Sequence, residues 1–96
     1  MPHAHYSAAA ENDLKQIGLN IAHHDPFAAE AMLDEIEATC ALLAANPEMG
    51  ELRPDAGRGD LRSFSVKNYV IYFKPTDYGI AVARVLHGAR NHTRLL

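Results

Sequence analysis

Arginine and tyrosine crowd the second half of this 96-residue chain, together with two of its six histidines. Arg53, Arg58, Arg62, Lys67, Arg84, Arg90 and Arg94 run through it, with His87 and His92 close to the last arginines and Tyr69, Tyr72 and Tyr78 interleaved. Cations and aromatic rings on a sheet are one way to hold RNA, and a histidine beside an arginine is equipped for acid–base cleavage of a phosphodiester. His87 and Arg90 are the candidates for that chemistry. The same residue types also make an ordinary solvated strand face, so chemistry alone leaves function open. Arg84 stands apart. Alternation along a strand puts it on one face with Ile80, Val82 and Leu86, where it either snorkels at an edge or is held buried by a carboxylate.

Other candidates carry less. His3 and His5 share a strand face and His23-His24 sit in a helix–helix turn, but nothing supplies the third and fourth ligands of a structural zinc site. No metal and no cofactor is expected. Cys40 falls on the core stripe of an acidic helix, without the cationic surroundings that activate a thiol. Gly57-Arg58-Gly59 lacks the preceding strand and following lysine of a phosphate loop.

The elements that must position these residues divide the chain in two. His3–Tyr6 reads as a short extended piece. Ser7 caps a helix over about residues 8–23, with Leu14, Ile17 and Ile21 on one stripe. Asp25-Pro26 opens a second helix that runs to about Ala45, with Ala29, Leu33, Ile36, Cys40 and Leu43 on one face; Asn46-Pro47 stops it. A loop is expected from about Asn46 to Asp60. Strands follow at Leu61–Ser65, Tyr69–Lys74 and Ile80–His87, with turn chemistry at Pro75–Gly79 and a further turn of helix in the tail. The expectation is one α+β domain over residues 1–96: an N-terminal strand and a two-helix hairpin packed on a small antiparallel sheet.

Composition sets the bounds. At 48% apolar and 22% charged, with a formal net charge of −3, the chain is an ordinary soluble globule rather than a disordered tail. No apolar run approaches the length of a membrane span. The N-terminus lacks the marks of a signal peptide, and the single cysteine suits a reducing cytoplasm. The charge is unevenly spread: residues 1–51 carry formally −8 and residues 52–96 formally +5. One surface can meet a basic partner and another an anionic one.

Five stretches then show a resemblance: Ser7…Asp13-Leu14…Ile17…Ile21; Ala44-Ala45-Asn46-Pro47-Glu48-Met49-Gly50; Leu61-Arg62-Ser63-Phe64; Tyr69 to Pro75; and Arg84-Val85-Leu86-His87-Gly88-Ala89-Arg90. In this order the chain resembles the ParE toxins of the RelE/ParE superfamily of bacterial toxin–antitoxin systems. The resemblance implies a cytoplasmic toxin with a ParD-type antitoxin encoded beside it. The antitoxin's C-terminal segment folds on the toxin, and operator DNA is reached only through that antitoxin. Leu14, Ile21, Arg53, Arg62, Tyr72 and Arg84 are the residues expected to meet the antitoxin, and His87, Arg90 and Arg94 those expected to meet the target. ParE-like members act on DNA gyrase, whereas RelE-like members are ribosome-dependent mRNA endonucleases. The last residues here lack the tyrosine of the nucleases. Three readings therefore stand: a non-enzymatic gyrase inhibitor, an mRNA nuclease using His87 and Arg90, and a non-toxic module that only binds the antitoxin and helps repress the operon.

Overall fold

The computed structural model describes residues 2–54, 59–88 and 92–96; of Thr93 and Arg94 it describes the backbone alone. The elements are β1 (His3–Tyr6), α1 (Ala8–Ala22), α2 (Pro26–Ala45), a 3-10 turn (Pro47–Met49), β2 (Glu51–Leu52), β3 (Arg62–Val66), β4 (Tyr69–Thr76), β5 (Gly79–His87) and α3 (His92–Leu95). Local chemistry explains their starts. The Ser7 hydroxyl accepts from the Ala10 amide at 3.0 Å. The Asp25 carboxylate accepts from Phe27 and Ala28 ahead of a helix whose first residue is Pro26, so the N-termini of α1 and α2 have their exposed amides partly satisfied.

The five strands form one sheet in the order β1-β5-β4-β3-β2. β2 through β5 are an antiparallel meander, as the short links require. Two features depart from expectation. β1 joins parallel to β5, with His3 opposite Gly79 and Tyr6 opposite Val82, so the sheet is mixed rather than wholly antiparallel. The span expected to be loop contains β2, whose two residues pair with Ser63 and Arg62 on β3. Two residues are too few to show alternation, so no periodic signal marks them.

The helices cover one face of the sheet. Ile17, Ile36, Cys40 and Leu43 meet Ile71, Phe73, Ile80, Val82 and Val85 there, with Leu14, Ile21 and Leu33 packed against the margin. A smaller cluster of Leu61, Tyr72 and Leu86 lies on the opposite face beneath Leu95 and Leu96 of the tail. Gly50, which ends the Asn46–Gly50 turn, must lack a side chain because a Cβ there would run into the Phe73 ring. Among the described residues, no helix is long and apolar enough to cross a membrane.

Candidate functional site

The most developed site grows from a mismatch in strand length. β1 covers β5 only as far as Val82, and α1 begins where β1 stops. Beyond Val82 the edge of β5 lacks a strand neighbour among the described residues, so its backbone groups need other partners. The Ser7 amide donates to the Val82 carbonyl at 3.0 Å. The Ser7 hydroxyl donates to the Ala83 carbonyl at 2.8 Å, and the Val85 amide donates to Asp13 Oδ2 at 2.9 Å. Side chains of α1 thus continue the ladder that β1 began.

Asp13 and Arg84 join at the same point. Arg84 Nε donates to Asp13 Oδ2 at 2.7 Å and Nη2 to Oδ1 at 2.8 Å, a two-pronged pair, while Nη1 donates to the Leu95 carbonyl at 2.8 Å. Asp13 is 7% exposed and the Arg84 side chain 22%. The hydrogen bond to Asp13 raises the Arg84 pKa above its ordinary value, against the opposing effect of burial. The carboxylate that holds Arg84 is therefore in this chain. The strand face expected for Arg84 is corrected by a bulge. The β4–β5 register passes from Tyr72 opposite Arg84 to Phe73 opposite Val82, leaving Ala83 as an extra residue. Ile80, Val82 and Val85 pack under the helices, but Leu86 packs on the tail side. Alternation from Ile80 fails because an inserted residue inverts it.

Beside this junction lies a groove of about 620 Å³, lined by Asn12, Asp13, Gln16, Ile17, Asn20, Tyr69, Arg84, Val85 and His87. His87 is exposed at its end, edge-on to the Tyr69 ring at 5.4 Å. The tail is fastened nearby. His92 Nε2 lies 2.8 Å from the His87 carbonyl. A carbonyl only accepts, so Nε2 donates to it, and Nδ1 pairs with the Tyr72 hydroxyl.

The expected site residues do not form one cluster. Arg84 and His87 share the groove. Arg53 lies at the far side of the sheet, with Nε donating to the Ser63 hydroxyl at 2.7 Å, and Arg62 Nη1 donates to the Gly50 carbonyl at 2.8 Å. Leu14 and Ile21 are half-buried against the core. Tyr72 is 4% exposed beneath the tail. Arg90 and Arg58 lie outside the described residues, as does the side chain of Arg94. His3 and His5 lie against Tyr78, the former stacked at 4.9 Å. The reading from sequence missed Asp13 and the amides Asn12, Gln16 and Asn20. The amides were legible as a spacing of four; Asp13 was not, since its partners lie 71 and 72 residues away.

Comparison with known proteins supplies the family. Residues 4–92 match the family described as "ParE toxin of type II toxin-antitoxin system, parDE". The chain belongs to the ParE toxin family. A solved structure titled "Chromosomal ParDE TA system from P. aeruginosa" is similar in fold, with a TM-score of 0.74 at 18% identity over 91% of this chain and 96% of that one. No curated protein matches the sequence. In this ParE-family chain the Arg84–Asp13 pair lies within the residues that match the family, and the groove beside it joins α1 to the end of β5.

Proposed function

We propose that this ParE-family toxin acts in the cytoplasm, where a ParD-type antitoxin neutralises it, and that the released toxin arrests growth by inhibiting DNA gyrase. The observation that carries this reading over mRNA cleavage is the match of residues 4–92 to the ParE family; Arg90 lies outside the described residues, and the described arginine in the His87 groove is Arg84. Its Nε, Nη1 and Nη2 are all engaged by Asp13 and the Leu95 carbonyl. A phosphodiester nuclease needs a cation able to turn toward the developing charge on phosphorus, close to its general base. At the His87 end of the groove the described arginine is instead occupied in holding three elements together. Family membership and the fold likeness support a partner antitoxin; binding a target without bond-breaking chemistry needs surface rather than a catalytic pair.

The test is a gyrase assay on purified toxin, scoring supercoiling and cleaved DNA with and without the antitoxin encoded beside it. Accumulated cleaved DNA that disappears on adding antitoxin is the expected result, and His87→Ala is expected to retain it. Growth arrest with gyrase unaffected and cellular mRNA cut would replace this reading with the nuclease. Absence of any arrest on expressing the chain alone would leave only an antitoxin-binding module.

A further inference from the structure

Asn12, Gln16 and Asn20 occur at i, i+4 and i+8 on α1, all are exposed, and all line the groove beside the uncovered end of β5. None of the three side chains makes a hydrogen bond to a described residue. From this ladder we infer that the groove binds an extended peptide segment by its backbone. The inference rests on the proposed partnership with an antitoxin and names the segment's site and mode of attachment.

Three physical facts favour that occupant. Residues four apart on a helix rise about 6.0 Å, and an extended chain repeats its peptide edge every two residues, about 6.6 Å. A row of side chains on successive helix turns therefore keeps step with alternate peptide groups over the length of this groove. Each carboxamide offers both a donor and an acceptor, which is what one peptide group presents in return. The groove is also close to uncharged, because Arg84 neutralises Asp13 within it. A phosphate backbone would find no available cation among the described groove residues, whereas a peptide backbone needs none. Ile17 and Tyr69 give the groove an apolar part, so the segment should place a small apolar side chain there and polar ones outward, the alternation of a strand.

The experiment measures binding of the full-length cognate antitoxin, and of overlapping 12-residue peptides spanning it, to the intact toxin by calorimetry. The triple variant Asn12→Ala, Gln16→Ala, Asn20→Ala is compared with Lys15→Ala as the off-groove control. Alanine is the better helix former at all three positions, so the variant is expected to fold, which circular dichroism checks. One lost hydrogen bond weakens binding about 2- to 10-fold, so the triple variant should lose at least about 10-fold and Lys15→Ala nothing. N-methylating alternate backbone amides of the best peptide should cause a similar loss with every side chain retained. Full-length antitoxin bound equally by wild type and triple variant overturns the groove assignment while leaving the antitoxin partnership intact. No binding to wild type at all overturns the partnership itself. A 20-nucleotide oligo-dT that binds wild type and loses affinity for the triple variant replaces the peptide with nucleic acid.

Discussion

Asp13 accepts three hydrogen bonds on two oxygens, two from the Arg84 guanidinium and one from the Val85 amide. Removing it strands a partly buried cation and an unpaired strand amide together, and the two losses share one cause. Asp13→Ala is expected to destabilise the fold by about 2–4 kcal/mol, lowering Tm by roughly 10–20 °C; Arg84→Met, which leaves the more buried Asp13 carboxylate with the Val85 amide alone, should cost a comparable amount. Thermal melts of both variants and the double variant check this, and independent, additive effects would show that the pair is not coupled. A second pair joins the half-buried Tyr6 of β1 to the buried Cys40 of α2. Burial, then the neighbouring Cys40, raises the Tyr6 pKa above its ordinary 10.0. Burial raises the Cys40 thiol above its ordinary 9.0, partly offset by the hydrogen bond with Tyr6. Both groups hold their protons more firmly folded than unfolded. The stability they lend is complete below about pH 8 and is lost as the pH climbs through the unfolded values toward the raised folded ones. Urea midpoints should therefore fall between pH 8 and pH 10.5, and less steeply in Cys40→Ala. At pH 8 the native thiol should react with a disulfide reagent far more slowly than the urea-unfolded thiol.

At the scale of elements, the parallel junction of β1 with β5 depends on one residue. Gly79 has φ +142°, a conformation that side chains disfavour, and a Cβ there would collide with the His3 carbonyl oxygen and backbone nitrogen. Backbone atoms within a ladder cannot swing aside as a side-chain end can. Gly79→Ala should therefore release β1 from the sheet edge, costing about 2–4 kcal/mol. The readout is amide hydrogen exchange, with faster exchange at the Ser7 amide and across the β1 pairing and little change at the β3–β4 pairing. Uniform exchange across the sheet would mean that β1 is not a separable element. The sequence marked the helix limits well, since Asp25-Pro26 and Asn46-Pro47 act through contacts of a few residues. It did not mark β2 or the Ala83 bulge. Both are defined by a neighbouring strand's register, and a bulge has no residue preference strong enough to read alone.

For the whole molecule, charge and burial divide by layer. Exposed carboxylates Asp34, Glu35 and Glu37 lie on α2, and the cations are mostly on the sheet half. The Lys67–Glu35 pair between them spans 3.7 Å with both side chains well exposed, so it adds little. What fastens the layers is Arg84, which reaches α1 and the tail together. The tail also covers Leu61, Tyr72 and Leu86. Deleting residues 92–96 should expose that cluster, leave the Arg84 Nη1 without the Leu95 carbonyl and remove both His92 contacts, a loss of about 2–4 kcal/mol from three hydrogen bonds and the apolar cover. Stronger binding of a hydrophobic dye and a lower Tm are the expected signs. An unchanged melt would show that the tail rests on the sheet without holding it.

The sequence by itself determined the α+β class, the hairpin, the strand succession and the family, because helix periodicity, caps, turns and short motifs are all local. It also singled out Arg84 as a cation that either snorkels at an edge or is held by a carboxylate. Only the tertiary structure decided which carboxylate, which face of β5 each residue takes, and that Arg84 and His87 share a groove while Arg53 and Arg62 do not. Those outcomes depend on where β1 ends against β5 and on one extra residue in a strand. Such contacts join residues some seventy positions apart, and no local pattern encodes them.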